Sequence, residues 1–263
     1  MSSVLKGTAL FSALLAVTPA QALTQSWNGY HWARTGPLVI GLGDNVGSVW
    51  DPYLRTAATK WSTAKNIDFT VMTGSSLPSA CNPIYGGVQV CNGNYGKTGW
   101  LGYATVWTAG GFIVQATVKM NDYYFSQPNY NTSAWRTLTM CQEIGHTLGL
   151  AHTNTITTNK NTGSCMDYTN DPSGKAGTNG TLANLAPNKV DLAALKGIYA
   201  TVNKTQLPYT RPTYWAGEGY SIDGVEVDTG GSMVPEPAAW MMLITGFGLI
   251  GSTMRRRRTM QTA

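Results

Sequence analysis

The chain of 263 residues is rich in glycine, tyrosine and tryptophan and poor in charge, and its length suits one core-forming domain with tails. Its formal charge of +5 sits at the ends: without Lys6 and Arg255 to Arg258, 13 of 18 basic residues remain, against 12 of 13 acidic residues without Glu236. The body is therefore nearly neutral, and no nucleic-acid partner is indicated. Residues 1–22 read as a signal peptide, with Lys6 as the positive start, Ala9 to Val17 as the apolar run and Ala20-Gln21-Ala22 as the cleavage site. That run is too short to span a membrane as a helix. Export by this route makes signal peptidase the first expected partner.

Residues 23–205 read as one α/β domain. Pro37 to Leu42 is a short apolar strand. Asp51-Pro52 supplies a cap and a first-turn proline for a helix carrying Tyr53, Leu54, Ala57, Ala58 and Trp61 at helical spacing. Ile67 to Met72 is a second strand. Leu101 to Thr108 and Phe112 to Met120 form a strand pair joined by Ala109-Gly110-Gly111. Asn131 or Thr132 caps a helix running to Leu148, and Asn188 caps a last helix with Leu192, Leu195, Ile198 and Tyr199 on one face. Residues 206–233, rich in Gly, Pro, Tyr and Asp, read as an extended linker.

Four cysteines allow three pairings, and an exported chain favours disulfides over free thiols. Cys81 and Cys91 bracket a loop bearing Gly and Asn, which pairs them and leaves Cys141 with Cys165. The second bond would tie the capped helix at 141 to a downstream turn.

That helix carries the chemistry. Gln142-Glu143-Ile144-Gly145-His146-Thr147-Leu148-Gly149-Leu150-Ala151-His152 holds two of the chain's three histidines. Residues four apart share a helix face, so Gln142 and His146 reach one ion. Leu138, Cys141, Gly145 and Leu148 gather on the adjacent arc, toward the core. Gly149 suits the left-handed turn that ends a helix and brings His152 back as a third ligand. Three protein ligands and a water make a catalytic zinc site, and Glu143, beside the ligand face, is placed as general base. His31 lies far away in sequence and reads as a hydrogen-bonded structural residue.

These residues resemble the H-E-x-x-H-x-x-G-x-x-H signature of the metzincin zinc peptidases, with Gln142 where the first His stands. Ser164-Cys165-Met166-Asp167-Tyr168 is similar to the Met-turn of the astacin and serralysin forms. The resemblance implies Met166 as the Met-turn residue and Tyr168 as zinc ligand or oxyanion helper. Leu101 to Met120 looks like the matrixin edge strand, turn and following strand, and such an edge pairs an extended protein or peptide substrate. The implied fold is α/β (α+β): a twisted mixed sheet with an edge substrate strand, an active-site helix and a Met-turn, in a monomer. The implied cofactor is Zn2+. The strand-region histidines of the matrixins' second, structural zinc are missing here, and the residues give no calcium signal. Gln142 is a weaker zinc donor than imidazole. A catalytically weak or inactive surface or biofilm-matrix binding protein on the same scaffold is thus the alternative function.

The C-terminus reads as an address. Pro235-Glu236-Pro237 and Trp240 precede the apolar run Met241 to Ile250 and then Arg255 to Arg258, the order expected at a membrane with the cytoplasmic side basic. Residues 234–258 resemble the PEP-CTERM sorting segment of Gram-negative surface proteins, with 259–263 as a tail. This implies transient inner-membrane anchoring and processing by an exosortase-type membrane enzyme. The destination would be the periplasm, the outer surface or the extracellular matrix.

Overall fold

The computed structural model describes residues 25–203 and 219–222. In chain order the elements are β1 (His31–Trp32), β2 (Leu38–Asn45), α1 (Asp51–Trp61), β3 (Ile67–Thr73), β4 (Gly87–Gly93), β5 (Gly102–Ala109), β6 (Phe112–Asn121), α2 (Asp122–Phe125), α3 (Ser133–Thr147), α4 (Lys189–Ile198) and β7 (Gly219–Ile222). The fold is α/β with a mixed sheet ordered β3-β2-β4-β6-β5-β7, and β1 pairs with β6. Strands β2, β3, β4 and β6 run parallel, whereas β5 is antiparallel to both β6 and β7.

The parallel part needs crossovers, and α1 supplies the one between β2 and β3. Helix α1 packs on β2 and β3, α3 packs on β5 and β6, and the two helices pack on each other. They therefore cover one face of the sheet. The core between them holds Trp50, Leu54 and Trp61 from the α1 side, Leu138, Met140 and Ile144 from α3, and Val88, Val90, Val118 and Met120 from the sheet. Trp61 also donates from its indole N–H to the Cys141 carbonyl at 2.8 Å, fixing α1 against the middle of α3.

Several expectations change. The stretch between Cys81 and Cys91 is not all loop: Cys91 lies in β4, which sits between β2 and β6. Val88, Gln89, Val90 and Cys91 are all buried, and a strand covered on both faces lacks the alternation that betrays a strand in sequence. Asp51 is the first helical residue of α1 rather than its cap, which is Trp50. The short β1 and α2 carried no sequence signal. Four residues of the expected linker, β7, form a strand against β5.

From Ala151 to Asn188 there is no helix or strand, only an isolated bridge between Asn154 and Asp167. Side chains hold this region instead. The Asp167 carboxylate accepts from Asn154, from the Thr162 amide and hydroxyl at 2.9 and 3.0 Å, and from Asn184 at 3.0 Å. The described residues belong to one compact unit. The expected signal peptide and sorting segment, including Pro235, Glu236, Pro237 and Trp240, lie outside the described residues. Among the described residues no helix is long and apolar enough to cross a membrane.

Candidate active site

Helix α3 begins at Thr132, whose hydroxyl accepts from the Trp135 amide at 3.2 Å, satisfying one of the free N–H groups of the first turn. Ten consecutive residues, Leu138 to Thr147, are buried. Five of them (Thr139, Gln142, Glu143, His146 and Thr147) are polar, a costly set to remove from water without partners. The helix ends on Gly149 at φ +86°. A Cβ there would lie 1.9 Å from the Tyr30 carbonyl oxygen, so glycine is required both by conformation and by space. The terminal carbonyls are accounted for. Trp32 Nε1 donates to Thr147 at 2.7 Å, the Tyr199 hydroxyl to Leu148 at 3.0 Å, and the Trp27 amide to Gly149 at 2.8 Å. The N-terminal segment and the end of α4 thus clamp the turn that reverses the chain toward His152.

The reversal brings two histidines together. His146 Nε2 and His152 Nε2 face each other at 3.0 Å, with the rings edge-on at 4.5 Å between centroids. His146 Nδ1 meets the Leu150 carbonyl at 2.7 Å. A carbonyl only accepts, so Nδ1 carries the proton and Nε2 presents its lone pair. Burial lowers the His146 pKa to about 4, opposed by that hydrogen bond. His152 is held well below its ordinary value by burial and by His146. Both rings are therefore neutral at physiological pH. The Gln142 side chain is fully buried, and neither its oxygen nor its nitrogen has a hydrogen-bond partner among the described residues. No three His, Cys, Asp or Glu side chains cluster to hold an ion among the described residues.

Met166 is fully buried beneath the helix. A Cβ on Gly145 would lie 2.5 Å from the Met166 sulfur and 2.6 Å from the Trp61 ring, so a glycine is what lets the downstream turn press on α3. Three further links fix that turn. Cys141 and Cys165 are disulfide-bonded, as are Cys81 and Cys91. The Met166 amide donates to Ser164 Oγ at 2.9 Å, and that hydroxyl donates to Asp191 at 2.7 Å. Asp191 in turn closes the capping box with Asn188 at the start of α4. Finally, the Thr153 amide, next to His152, donates to the Met166 carbonyl at 2.8 Å. Tyr168 lies with its ring edge-on to His152, centroids 4.4 Å apart.

Glu143 is buried on the side facing β5. A Cβ on Gly102 would sit 2.7 Å from the Glu143 Cγ and 2.5 Å from the Thr139 methyl, so Gly102 leaves the room in which the carboxylate lies. Sequence reasoning missed Gly102 and Asp191. It placed Gly145 on the core-facing arc, Trp61 on the apolar face of the first helix and Ser164 in the Met-turn motif, without the contacts that they make here. His31 is apart from the histidine pair: its Nδ1 meets the Gly29 carbonyl at 2.8 Å, and its ring packs on Phe112 and Tyr199.

No family model matches the sequence, and no curated protein matches it. Solved structures that it is similar to include one of myroilysin, with a TM-score of 0.37 and 12% identity over 67% of this chain and 98% of that one. Another is high choriolytic enzyme 1, a hatching enzyme zinc-protease from Oryzias latipes (medaka fish), with a TM-score of 0.36 and 14% identity over 65% and 94%. A further myroilysin structure gives a TM-score of 0.31 and 11% identity over 68% and 87%.

Proposed function

We propose that the chain is an exported, metzincin-type zinc metalloendopeptidase, with Gln142, His146 and His152 holding the metal, Glu143 as general base and Tyr168 assisting. The observation that carries this reading is the meeting of the two imidazoles. Two neutral rings turn Nε2 toward Nε2 at 3.0 Å, and one of them donates its other N–H to a backbone carbonyl, the support a metal-bound histidine ordinarily has. The buried Gln142 amide without a partner supports it independently, because such a group costs stability unless something binds it. The donor set of two imidazole nitrogens and an amide oxygen fits zinc with an open position, though more loosely than three imidazoles.

Zinc bound there would supply Lewis-acid polarisation of the peptide carbonyl and a water acidic enough to be deprotonated near neutral pH. The rest falls to the protein. Glu143 accepts the proton of the attacking water and passes it to the leaving amine. The Tyr168 hydroxyl steadies the oxygen on which negative charge develops. Strand β5, passing Glu143 at Gly102, aligns an extended peptide by backbone pairing. Export, removal of the first 22 residues by signal peptidase and exosortase-type processing near Pro235-Glu236-Pro237 belong to the same proposal.

The test is metal content and casein cleavage of the purified chain, beside Glu143→Ala and Gln142→His. About one zinc per chain, with activity lost in Glu143→Ala and tighter zinc in Gln142→His, is the expected result. If zinc-loaded wild type and folded Glu143→Ala are equally inactive, the protein is instead a binding module on this scaffold. The neutral Gln142 donor is the one observation favouring that second reading.

A further inference from the structure

The outer edge of β5 is where an extended peptide would pair, and among the described residues it is already taken. Gly219–Ile222 runs antiparallel to it, with Gly219 opposite Trp107, Tyr220 opposite Val106, Ser221 opposite Thr105 and Ile222 opposite Ala104. This strand is outermost in the sheet. It comes from a stretch whose Gly, Pro and Asp content argues against any strand, apart from its own Tyr and Ile. Its direction matters as well. Ile222 lies two residues along β5 from Gly102, the position that abuts Glu143 and Thr139. The C-terminal end of β7 therefore points along the strand toward the candidate base, on the line that a substrate backbone would follow.

We propose that Gly219–Ile222 is a built-in occupant of the peptide-binding edge, a tethered strand that keeps substrate off β5 until it is displaced or removed. This rests on the peptidase reading for its meaning, and on strand pairing alone for its existence. A tethered segment competes intramolecularly, so it is effective although four residues of pairing would bind weakly in trans. A proteolytic cut between residues 203 and 219 would untether the strand, and a pull on the chain beyond Ile222 would draw it off the edge.

The test uses the full chain and the double variant Tyr220→Pro/Ser221→Pro. Successive strand residues send their N–H groups to opposite sides, so prolines at both remove whichever one faces β5. If the pair unfolds, Ser221→Pro and Tyr220→Pro are taken singly. Hydrogen exchange of the Gly102–Ala109 amides is the first readout, and on the order of tenfold faster exchange is expected in the variant. Binding of a labelled peptide of residues 216–226 is the second, expected for the variant and not for wild type. Neither needs metal or hydrolysis. Unchanged exchange with no peptide bound by the variant overturns the proposal. So does equal casein cleavage by zinc-loaded wild type and variant, which leaves the peptidase reading intact. Faster exchange and peptide binding without casein cleavage by either form removes the peptidase reading and leaves the strand pairing standing.

Discussion

The two halves of the molecule that meet at the candidate site are held by different forces. Up to Thr147 the chain is sheet and helix, with Trp50, Trp61, Ile40, Leu42 and Ile144 buried in one apolar core. From Ala151 to Asn188 the chain is irregular, and the carboxylates of Asp167 and Asp191 serve as its centres. Gln142, Glu143 and His146 belong to the first half; His152, Met166 and Tyr168 belong to the second. A site drawn from both is only as well formed as the seam between them. That seam consists of Gly149 against Tyr30, Met166 against Gly145, one disulfide, and the link from Met166 through Ser164 to Asp191. The apolar half tolerates small losses because burial is spread over many residues, whereas the polar half depends on a few groups each holding several partners.

This contrast can be broken from its strongest point downward. Gly149→Ala puts a methyl against the Tyr30 carbonyl at positive φ, and urea unfolding should show a loss of about 4 kcal/mol. Replacing Cys141 and Cys165 by alanine opens a loop of 24 residues, against 10 for Cys81 and Cys91. Chain entropy sets these losses at about 3.4 and about 2.7 kcal/mol, and calorimetry on the two double variants should return that order. Asp167→Ala strips an acceptor from Asn154, Thr162 and Asn184 and should cost about 2 kcal/mol, with faster hydrogen exchange confined to the irregular half. An even response across the molecule would contradict a division into two differently held halves. Gln142→His should leave stability nearly unchanged while raising zinc affinity by about tenfold or more, measured by chelator competition.

The smallest effect concerns pH. Burial raises the Asp191 carboxyl above its ordinary 3.8, against hydrogen bonds from the Asn188 amide, Ser164 and Gln25. The folded state then holds that proton more tightly than the unfolded chain does. Relative to Asp191→Asn, stability should therefore fall as pH rises from 3.8 through the raised value, read from Tm against pH.

What the sequence disclosed follows the same division. Caps and turns are local, so Thr132, Asn188 and Gly149 announced the ends of α3 and α4, and alternation announced the β5–β6 pair. Position β4 was hidden because both its faces are covered. The polar half was hidden for another reason: Asn154, Asn184 and Asp167 meet across a dozen or more residues without any period, and no local preference records such a meeting. Gly102 looked like an ordinary glycine, and Gly145 like one more residue of the core-facing arc. Their meaning lies in what would collide with them, which is fixed only once Glu143 and Met166 are placed. Nothing in Gly219-Tyr220-Ser221-Ile222 distinguished a strand from its surroundings, since pairing with β5 is what makes it one.

The position of the second disulfide also sets an order of events. Cys141 directly precedes Gln142, and Cys165 directly precedes Met166, whose carbonyl holds Thr153 beside His152. Without that bond the segment that presents His152 would lack its covalent anchor to the helix that carries Gln142 and His146. A newly made chain would thus carry an incomplete site for as long as its surroundings are reducing. For the site proposed above, closing that bond would be the completing step, and its timing would follow the redox state of the surroundings.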